Sequence, residues 1–464
     1  MPIFFWTDIL IYVLLVLGIV FGLYARRQEH LRSPWREVLG SRVAMSSLMI
    51  LIVYVAIGLL DSVHFRPDSG RGDAQQHANQ VLSIFDLLAT PLRMQNEKTY
   101  SAPFATHLYA KESIELSDGR QVRHYPRLVY GGAHLENPAT EKWSDIVSRG
   151  VRGAVKGLGL WVLLCALFAL FWSRRARVPV VTGWRVLARG ETDACWRAAL
   201  VTSGVLCVLG WASAELGTAY HLLGTDKVGE DVFYQSLKSI RTGLVIGTLT
   251  TLVMLPFAIL LGIMAGYFRG WIDDAIQYLY TTLNSIPGVL LIAAAVLMLQ
   301  VYLDNHAAEF ASIEERADLR LLFLCLILGV TSWTGLCRYL RGESLKLREI
   351  DYIQSARALG VGHFTIIGRH ILPNVMHIVL ITVVLDFSGL VLAEAVLSYV
   401  QIGVDPTMNS WGNMINSARL EMAREPAVWW SLCAAFVFMF TLVLAANLFS
   451  DAVRDAFDPR LRKR

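Results

Sequence analysis

Nine stretches of this chain are each apolar over nearly the length that a lipid bilayer demands, and that leaves few folds open. They fall at about 5–25, 42–61, 156–173, 198–216, 243–266, 278–302, 321–340, 376–400 and 428–449. A helix needs about 20 mainly apolar residues to cross a hydrocarbon core of roughly 30 Å. None of the nine alternates apolar with polar residues, so a barrel is excluded, and only helices remain to satisfy the backbone in lipid. Charged residues make up 17% of the 464, against about 25% in an average soluble domain. The expected fold is an all-α polytopic membrane protein of about nine transmembrane helices. A net charge of +4 is too small to point to nucleic acid as a partner; lipid is the expected surroundings.

The loops orient the chain by their Lys and Arg content. Basic runs follow the first span (ARRQEHLRSPWREVLGSR), the third (SRRARVPVVTGWRVLARG) and the seventh (RYLRGESLKLREI), and the tail VRDAFDPRLRKR is basic too. These alternate loops belong on the cytoplasmic side. Between the sixth and seventh spans Asp304, Glu309, Glu314, Glu315 and Asp318 outweigh the bases, which puts that loop outside. Nine spans then give an external N-terminus and a cytoplasmic C-terminus. Residues 1–25 read as an anchor helix, because the basic cluster follows the apolar run instead of preceding it as in a signal peptide.

Residues 64–154 are the one sizeable polar piece, expected outside the membrane as an insertion with some β structure. Its stretch SIELSDGRQVRHYPRLVY reads as two strands around an Asp-Gly turn. His64, His77, His107, His124 and His134 lack ligand spacing and read as surface residues. Cys165, Cys195, Cys207, Cys325, Cys337 and Cys433 show no C-x-x-C pair and read as small buried hydrophobes. The segments are therefore 1–63 with two spans, 64–154 as the insertion, 155–220 with two further spans, and 221–464 as a core.

Catalytic and nucleotide motifs are missing. There is no G-x-x-x-x-G-K-[ST] to cradle phosphates, no H-E-x-x-H and no G-x-S-x-G elbow. If the chain drives transport uphill, the energy comes from a partner or an ion gradient. Ionisable residues inside spans mark substrate paths or inward-packed pairs. Asp386 sits near mid-span in VVLDFSGLVLAEAVLSYV and Glu394 lies about two turns further on; a translocation path or a packed carboxylate fits either residue.

One basic, partly amphipathic stretch, DYIQSARALGVGHFTIIGRHILPN (351–374), is wedged between spans. Good helix formers run up to Gly360, whose freedom at positive φ suits a helix end. HFTIIGRHIL can then start a second short helix, and Pro373 stands where the next span begins. The product is a helix–turn–helix elbow within a loop of about 341–374. Small Ala356 and Ala358 permit close approach of another backbone, and Arg357 can reach an acidic partner. A partner-docking lever and a plain interfacial linker both fit these residues.

The same stretch resembles the EAA loop of ABC importer permeases, in which E-A-A-x-x-x-G is followed by I-x-L-P. The matching residues are Gln354-Ser355-Ala356-Arg357-Ala358-Leu359-Gly360 and His370-Ile371-Leu372-Pro373-Asn374. Four further stretches, HLLGTDKVGEDVFYQSLKSIRTGLVIG (221–247), GIMAGYFRGWIDD (262–274), EAVLSYVQIGVDPTMNSWGNMI (394–415) and DAVRDAFDPRLR (451–462), are similar in order and spacing to the dipeptide/oligopeptide/nickel permease family. The resemblance covers about 221–464. It implies a type I ABC importer permease core in a bacterial inner membrane. It implies a second permease, two ATPase subunits and an extracytoplasmic solute-binding protein as partners. ATP and Mg would be bound by the ATPases, with no catalytic site or cofactor on this chain. Asp351, Gln354, Ser355, Ala356, Arg357, Leu359, Gly360 and Pro373 would then face or shape the ATPase contact. The chain departs from the family pattern in places. Gln354 and Ser355 replace Glu and Ala, Glu230 replaces Arg, and Tyr399-Val400-Gln401-Ile402 replaces F-L-G-L. A self-sufficient carrier would instead need more coupled ionisable groups in its spans, and a membrane sensor built on the insertion would leave the elbow without a use.

Overall fold

A computed structural model describes residues 2–457 apart from 28, 67–80, 116–120, 178, 180, 183, 185–193, 307–309 and 311. All nine expected segments are largely helical, and all but the sixth lie along a continuous helical stretch. Among the described residues eight helices are long and apolar enough to cross a membrane, while the apolar part of the first, Trp6–Val20, is shorter. The expected sixth span is redrawn. Ile286 ends one helix, Trp271–Ser285, and Pro287 begins another, Gly288–Asn305. Proline is tolerated at a helix start but lacks the N–H an interior position needs. The expected third span is the apolar part of a much longer helix, Pro138–Ala176.

The chain forms two compact units. One comprises residues 1–3, 30–242 and 409–452; the other comprises 4–29, 243–408 and 453–464.

In the first unit, Ser41 caps the Arg42–Asp61 helix by accepting the Ala44 N–H. The Pro138–Ala176 and Trp196–Gly217 helices lie against each other where Gly153 and Gly157 face backbone. A Cβ on Gly153 would come within 2.6 Å of Ala212, and one on Gly157 within 2.6 Å of the Cys207 carbonyl. This is the small-xxx-small contact by which membrane helices approach closely. Lys156 with Glu215 at 2.6 Å, and the Trp161 indole N–H donating to the Leu200 carbonyl at 2.9 Å, flank it.

Among the described residues the insertion contributes to two small antiparallel sheets. Pro2–Ile3 pairs with His64–Phe65, which pairs with Leu82–Ser83. Glu112–Glu115 pairs with Gln121–His124, with Glu115 opposite Gln121; the expected Asp-Gly turn between them lies outside the described residues, as does His77.

The insertion is joined to residues 221–231 by a buried acid–histidine–acid row. His221 Nδ1 lies 2.8 Å from Asp231 Oδ2, and its Nε2 lies 3.5 Å from Glu97 Oε1. Glu97 also accepts the backbone N–H groups of Val129, Tyr130 and Gly131 at 2.8–3.1 Å. Burial alone would raise the Glu97 carboxyl, but the ring and the three N–H donors outweigh it and hold it down at about 2. Burial likewise opposes the imidazolium, yet Asp231 and Glu97 hold His221 up at about 9. Three opposed or donor-satisfied charges are the condition under which ions can be buried at all. Asp231 also accepts the Tyr234 N–H at 3.0 Å and so caps the Val232–Phe268 helix. The backbone follows suit. The Glu97 N–H donates to the Gly229 carbonyl at 2.9 Å, and Gly229 approaches so closely that a Cβ there would sit 1.8 Å from the Glu97 carbonyl. Buried Trp430 donates its indole N–H to the Thr225 carbonyl at 2.9 Å and meets Tyr109 edge-on.

In the second unit, two apolar clusters stand out in the core among the described residues. One gathers Met254, Ala258, Trp333, Leu340, Ile353, Ile366, Ile371 and Val375; the other gathers Val245, Leu249, Leu321, Leu324, Leu328 and Leu397. The stretch GIMAGYFRGWIDD gains its logic here. Gly262 and Gly266 sit four apart against the Thr334–Arg348 helix, where a Cβ would come within 2.8 Å of the Cys337 carbonyl and 2.5 Å of the Arg341 carbonyl. Asp273 then takes a two-pronged pair from Arg341 at 2.6 and 2.7 Å, which holds its carboxyl below the usual range. The Trp6–Arg27 helix is fixed at its start, where the Thr7 N–H and hydroxyl both donate to buried Asp318.

Candidate functional site

The elbow forms as two short helices after the Thr334–Arg348 helix: Asp351–Ala358, then His363–Ile366 leading through a π-helical turn, Ile367–Ile371, into Leu372–Tyr399. Its inner face is anchored by apolar side chains. Ile353, Ile366 and Ile371 are fully buried in the core cluster, with Ala356 and Val361 packed beside them. Gly360 ends the first helix at φ +78°. The Gly360 N–H bonds the Arg357 carbonyl and the Val361 N–H bonds the Ala356 carbonyl, both at 3.1 Å. These are the two bonds of a Schellman stop, which requires the left-handed conformation that glycine adopts without penalty.

From beneath, residues 267–269 brace the elbow. The Tyr267 hydroxyl meets His363 Nδ1 at 2.8 Å, Arg348 donates to the Tyr267 carbonyl at 2.7 Å, and Arg269 pairs with Glu349 at 2.7 Å. At its far end, the Leu372 N–H reaches back five residues to the Ile367 carbonyl. That widened turn directly precedes Pro373, which has no N–H to continue an ordinary ladder.

The outer face is open. Asp351, Gln354, Ser355, Arg357, Leu359 and Gly360 are exposed, and Ala356 is half-buried. Asp351, Ser355 and Arg357 make no side-chain hydrogen bond or ion pair among the described residues. Leu359 is 83% exposed and Phe364, one short turn away, 88%. Two large apolar side chains projecting from a polar elbow mark an interaction surface more than chance exposure does. Phe364 and the Tyr267–His363 brace are not singled out by the sequence reasoning; the only signal for Phe364 is a lone aromatic in a polar turn.

Gln354 acquires a physical account. Its amide donates to the Glu349 carbonyl at 3.1 Å and lies 3.4 Å from Glu349 Oε2. A glutamate here would set a second carboxylate against Glu349, which is already committed to Arg269. The neutral residue supplies a donor where an acid would repel.

Asp386 and Glu394 both lie on the Leu372–Tyr399 helix, beyond the elbow. Glu394 is buried and accepts the Ser398 hydroxyl at 2.7 Å. Asp386 is half-buried and has neither a charged nor a hydrogen-bonding partner among the described residues. The two acids therefore differ in kind. Further on, Gln401 takes φ +65° with the same pair of stop bonds, the Gln401 N–H to the Ser398 carbonyl and the Ile402 N–H to the Leu397 carbonyl; the family pattern has glycine at this position. Among the described residues, no group of three His, Cys, Asp or Glu side chains could hold a metal ion.

The pattern that describes binding-protein-dependent transport system inner membrane components matches residues 258–463, which include the whole elbow and both acids. The chain is 33% identical over 244 residues to the glutathione transport system permease protein GsiD of Pectobacterium atrosepticum, an alignment covering 52% of this chain and 73% of that one. The chain belongs to this family of transport permeases. It is also 31% identical over 242 residues to the oligopeptide transport system permease protein OppC of Mycobacterium tuberculosis, covering 52% and 77% of the two chains. Over 246 residues it is 28% identical to the dipeptide transport system permease protein DppC of Bacillus subtilis, covering 53% and 71%. As a family member it is an inner-membrane permease component with several membrane-crossing helices.

Proposed function

We propose that this permease is one of two different membrane subunits of an ATP-driven importer for peptides. It works with two ATPase subunits that bind ATP and Mg, and with an extracytoplasmic solute-binding protein. The reading rests on the elbow. Its inner face is locked by Ile353, Ile366 and Ile371, while its outer face exposes Leu359 and Phe364 beside Asp351 and Arg357, whose side chains make no hydrogen bond or ion pair among the described residues. A single helix seated in a groove makes a contact at the low end of interface sizes, under about 1,200 Å², so a few side chains carry it. Leu359 and Phe364 are the apolar anchors, Arg357 and Asp351 the charged rim. Gln354, Ser355, Ala356, Gly360 and Pro373 shape the surface that holds them.

The chemistry lies on the ATPases and the work on this chain is mechanical. Residues 363–399 form one helical rod that begins in the elbow and is long and apolar enough to cross a membrane, so displacement of the elbow by the ATPases tilts the span that carries Asp386 and Glu394. In this reading the elbow and the C-terminus face the cytoplasm and the 64–154 insertion faces outward, over the 221–231 loop. The peptide cargo follows the relatives, whose names specify glutathione, oligopeptide and dipeptide transport.

The test is co-purification in mild detergent with the tagged cognate ATPase subunit. The wild-type chain should carry it at a fixed ratio. Leu359→Asp with Phe364→Asp should lose it while the chain stays folded and membrane-inserted. Retention of the ATPase by the double variant would overturn the assignment.

A further inference from the structure

We propose that Asp386 is a recognition point for a protonated amine, the free ammonium of a peptide, on the translocation path; this rests on the permease reading above.

The Leu372–Tyr399 helix has its midpoint at Asp386, with 14 residues before it and 13 after. At 1.5 Å per residue the carboxylate stands roughly 20 Å along the axis from either end, too far for a short side chain to reach interfacial water as Lys and Arg do. An acid at this depth faces a cavity, a path or a partner, because lipid offers it nothing. The helix's rotation is fixed by the residue beside it, since the Phe387 ring packs where a Cβ on Gly247 would lie only 2.5 Å away. Val391, Glu394, Leu397 and Ser398 are buried, while Leu385, Gly389, Leu392 and Val396 are exposed. Asp386 lies at the border of these two faces, half-buried, and no basic or donor group of the described chain meets it. Glu394, fully buried with Ser398 donating to it, shows what an acid with a structural job looks like on the same helix.

The chemistry of the occupant follows. One carboxylate with apolar neighbours holds a monovalent cation that brings its own donors. It does not make a divalent metal site, which needs several converging ligands, and the described residues supply no such cluster. An ammonium has three donors and leaves the remaining two for water or a backbone carbonyl. The site also rides on the rod that begins at the elbow, so movement of the elbow moves the carboxylate.

The experiment uses the assembled transporter in proteoliposomes with its binding protein, and compares uptake of one peptide with its N-acetylated form in wild type, Asp386→Asn and Asp386→Glu. The binding protein is common to all three, so its own selectivity cancels from the comparison. Asp386→Asn should lower the free-to-acetylated uptake ratio at least tenfold, and Asp386→Glu should keep it within about threefold. An unchanged ratio in Asp386→Asn overturns the proposal, whether uptake of both peptides falls or neither does. Loss of the second permease on purification of Asp386→Asn also overturns it, and assigns the carboxylate to an ion pair between subunits. Failure of the wild-type chain to bring down the ATPase is a separate outcome and refutes the importer reading itself.

Discussion

Replacing Gly360 isolates the elbow's backbone from its side chains. A Cβ at this position meets nothing within 4 Å, so it clashes with no neighbouring part of the fold. The cost is conformational. At φ +78° an L-residue pays about 1–2 kcal/mol, and a β-branched valine sits at the upper end because its second γ-carbon crowds the same backbone. A shift of that size changes the ratio of two elbow conformations by about 5- to 30-fold. It is small beside the stability of the whole protein, so the Val variant should insert and fold. Relaxing toward negative φ breaks both stop bonds, from the Gly360 N–H to Arg357 and from the Val361 N–H to Ala356, and re-aims Leu359 against Phe364. Gly360→Asn should be nearly silent, because asparagine tolerates the left-handed region. In proteoliposomes containing the complete transporter, Gly360→Val should hydrolyse ATP with several-fold lower transport per ATP, and Gly360→Asn should match wild type. Full coupling in the Val variant, or equal defects in Val and Asn, would refute the argument that the backbone turn sets the lever.

Gln401 offers the mirror experiment. It holds φ +65° without being glycine, so Gln401→Gly should stabilise the permease by up to about 1 kcal/mol, the strain relieved less the entropy glycine loses, read as a raised unfolding temperature in detergent. Gln354→Glu should destabilise the elbow by bringing a carboxylate against Glu349, and the defect should shrink in high salt and in a Glu349→Gln background. The buried row of Glu97, His221 and Asp231 predicts stability bounded on both sides. The His221 contribution is full below about 6.5 and is lost as pH rises through about 9. That of Glu97 is full above about 4.5 and is lost as pH falls through about 2. Unfolding temperature should therefore drop between pH 7 and 10 in wild type, and His221→Asn should flatten that limb; a wild-type profile already flat there would refute the charged assignment.

The spans were legible because their apolar runs answer to bilayer thickness alone, and the elbow because Gly360 and Pro373 punctuate it locally. Contacts between distant segments were not legible. Nothing in the run from Gly153 to Gly157 says that it faces Ala212, and Glu97 gives no hint of its pairing with His221, 124 residues on. Of the two acids in this span the sequence could not say which was fully packed and which half-buried; only the hydroxyl of Ser398, one turn beyond Glu394, hinted at the difference. Phe364 was hidden for a related reason, since an aromatic at a helix start looks the same whether it faces core or solvent. The break at Pro287 was the reverse case, where the residue type announced a boundary that a hydropathy average runs through.

The attachment of the insertion has a consequence for anyone who would remove it. Excising 64–154 takes away Glu97 and leaves His221 beside a single acid at the start of the Val232–Phe268 helix. It also strips Ser101 from Thr225 and leaves the Pro2–Ile3 strand without a neighbour. Such a deletion is a surgical wound in the permease as well as the loss of an appendage, and a transport defect from it alone would not reveal what the insertion does. A graft that keeps Glu97 and its flanking backbone, while replacing the outward-facing remainder, separates the two.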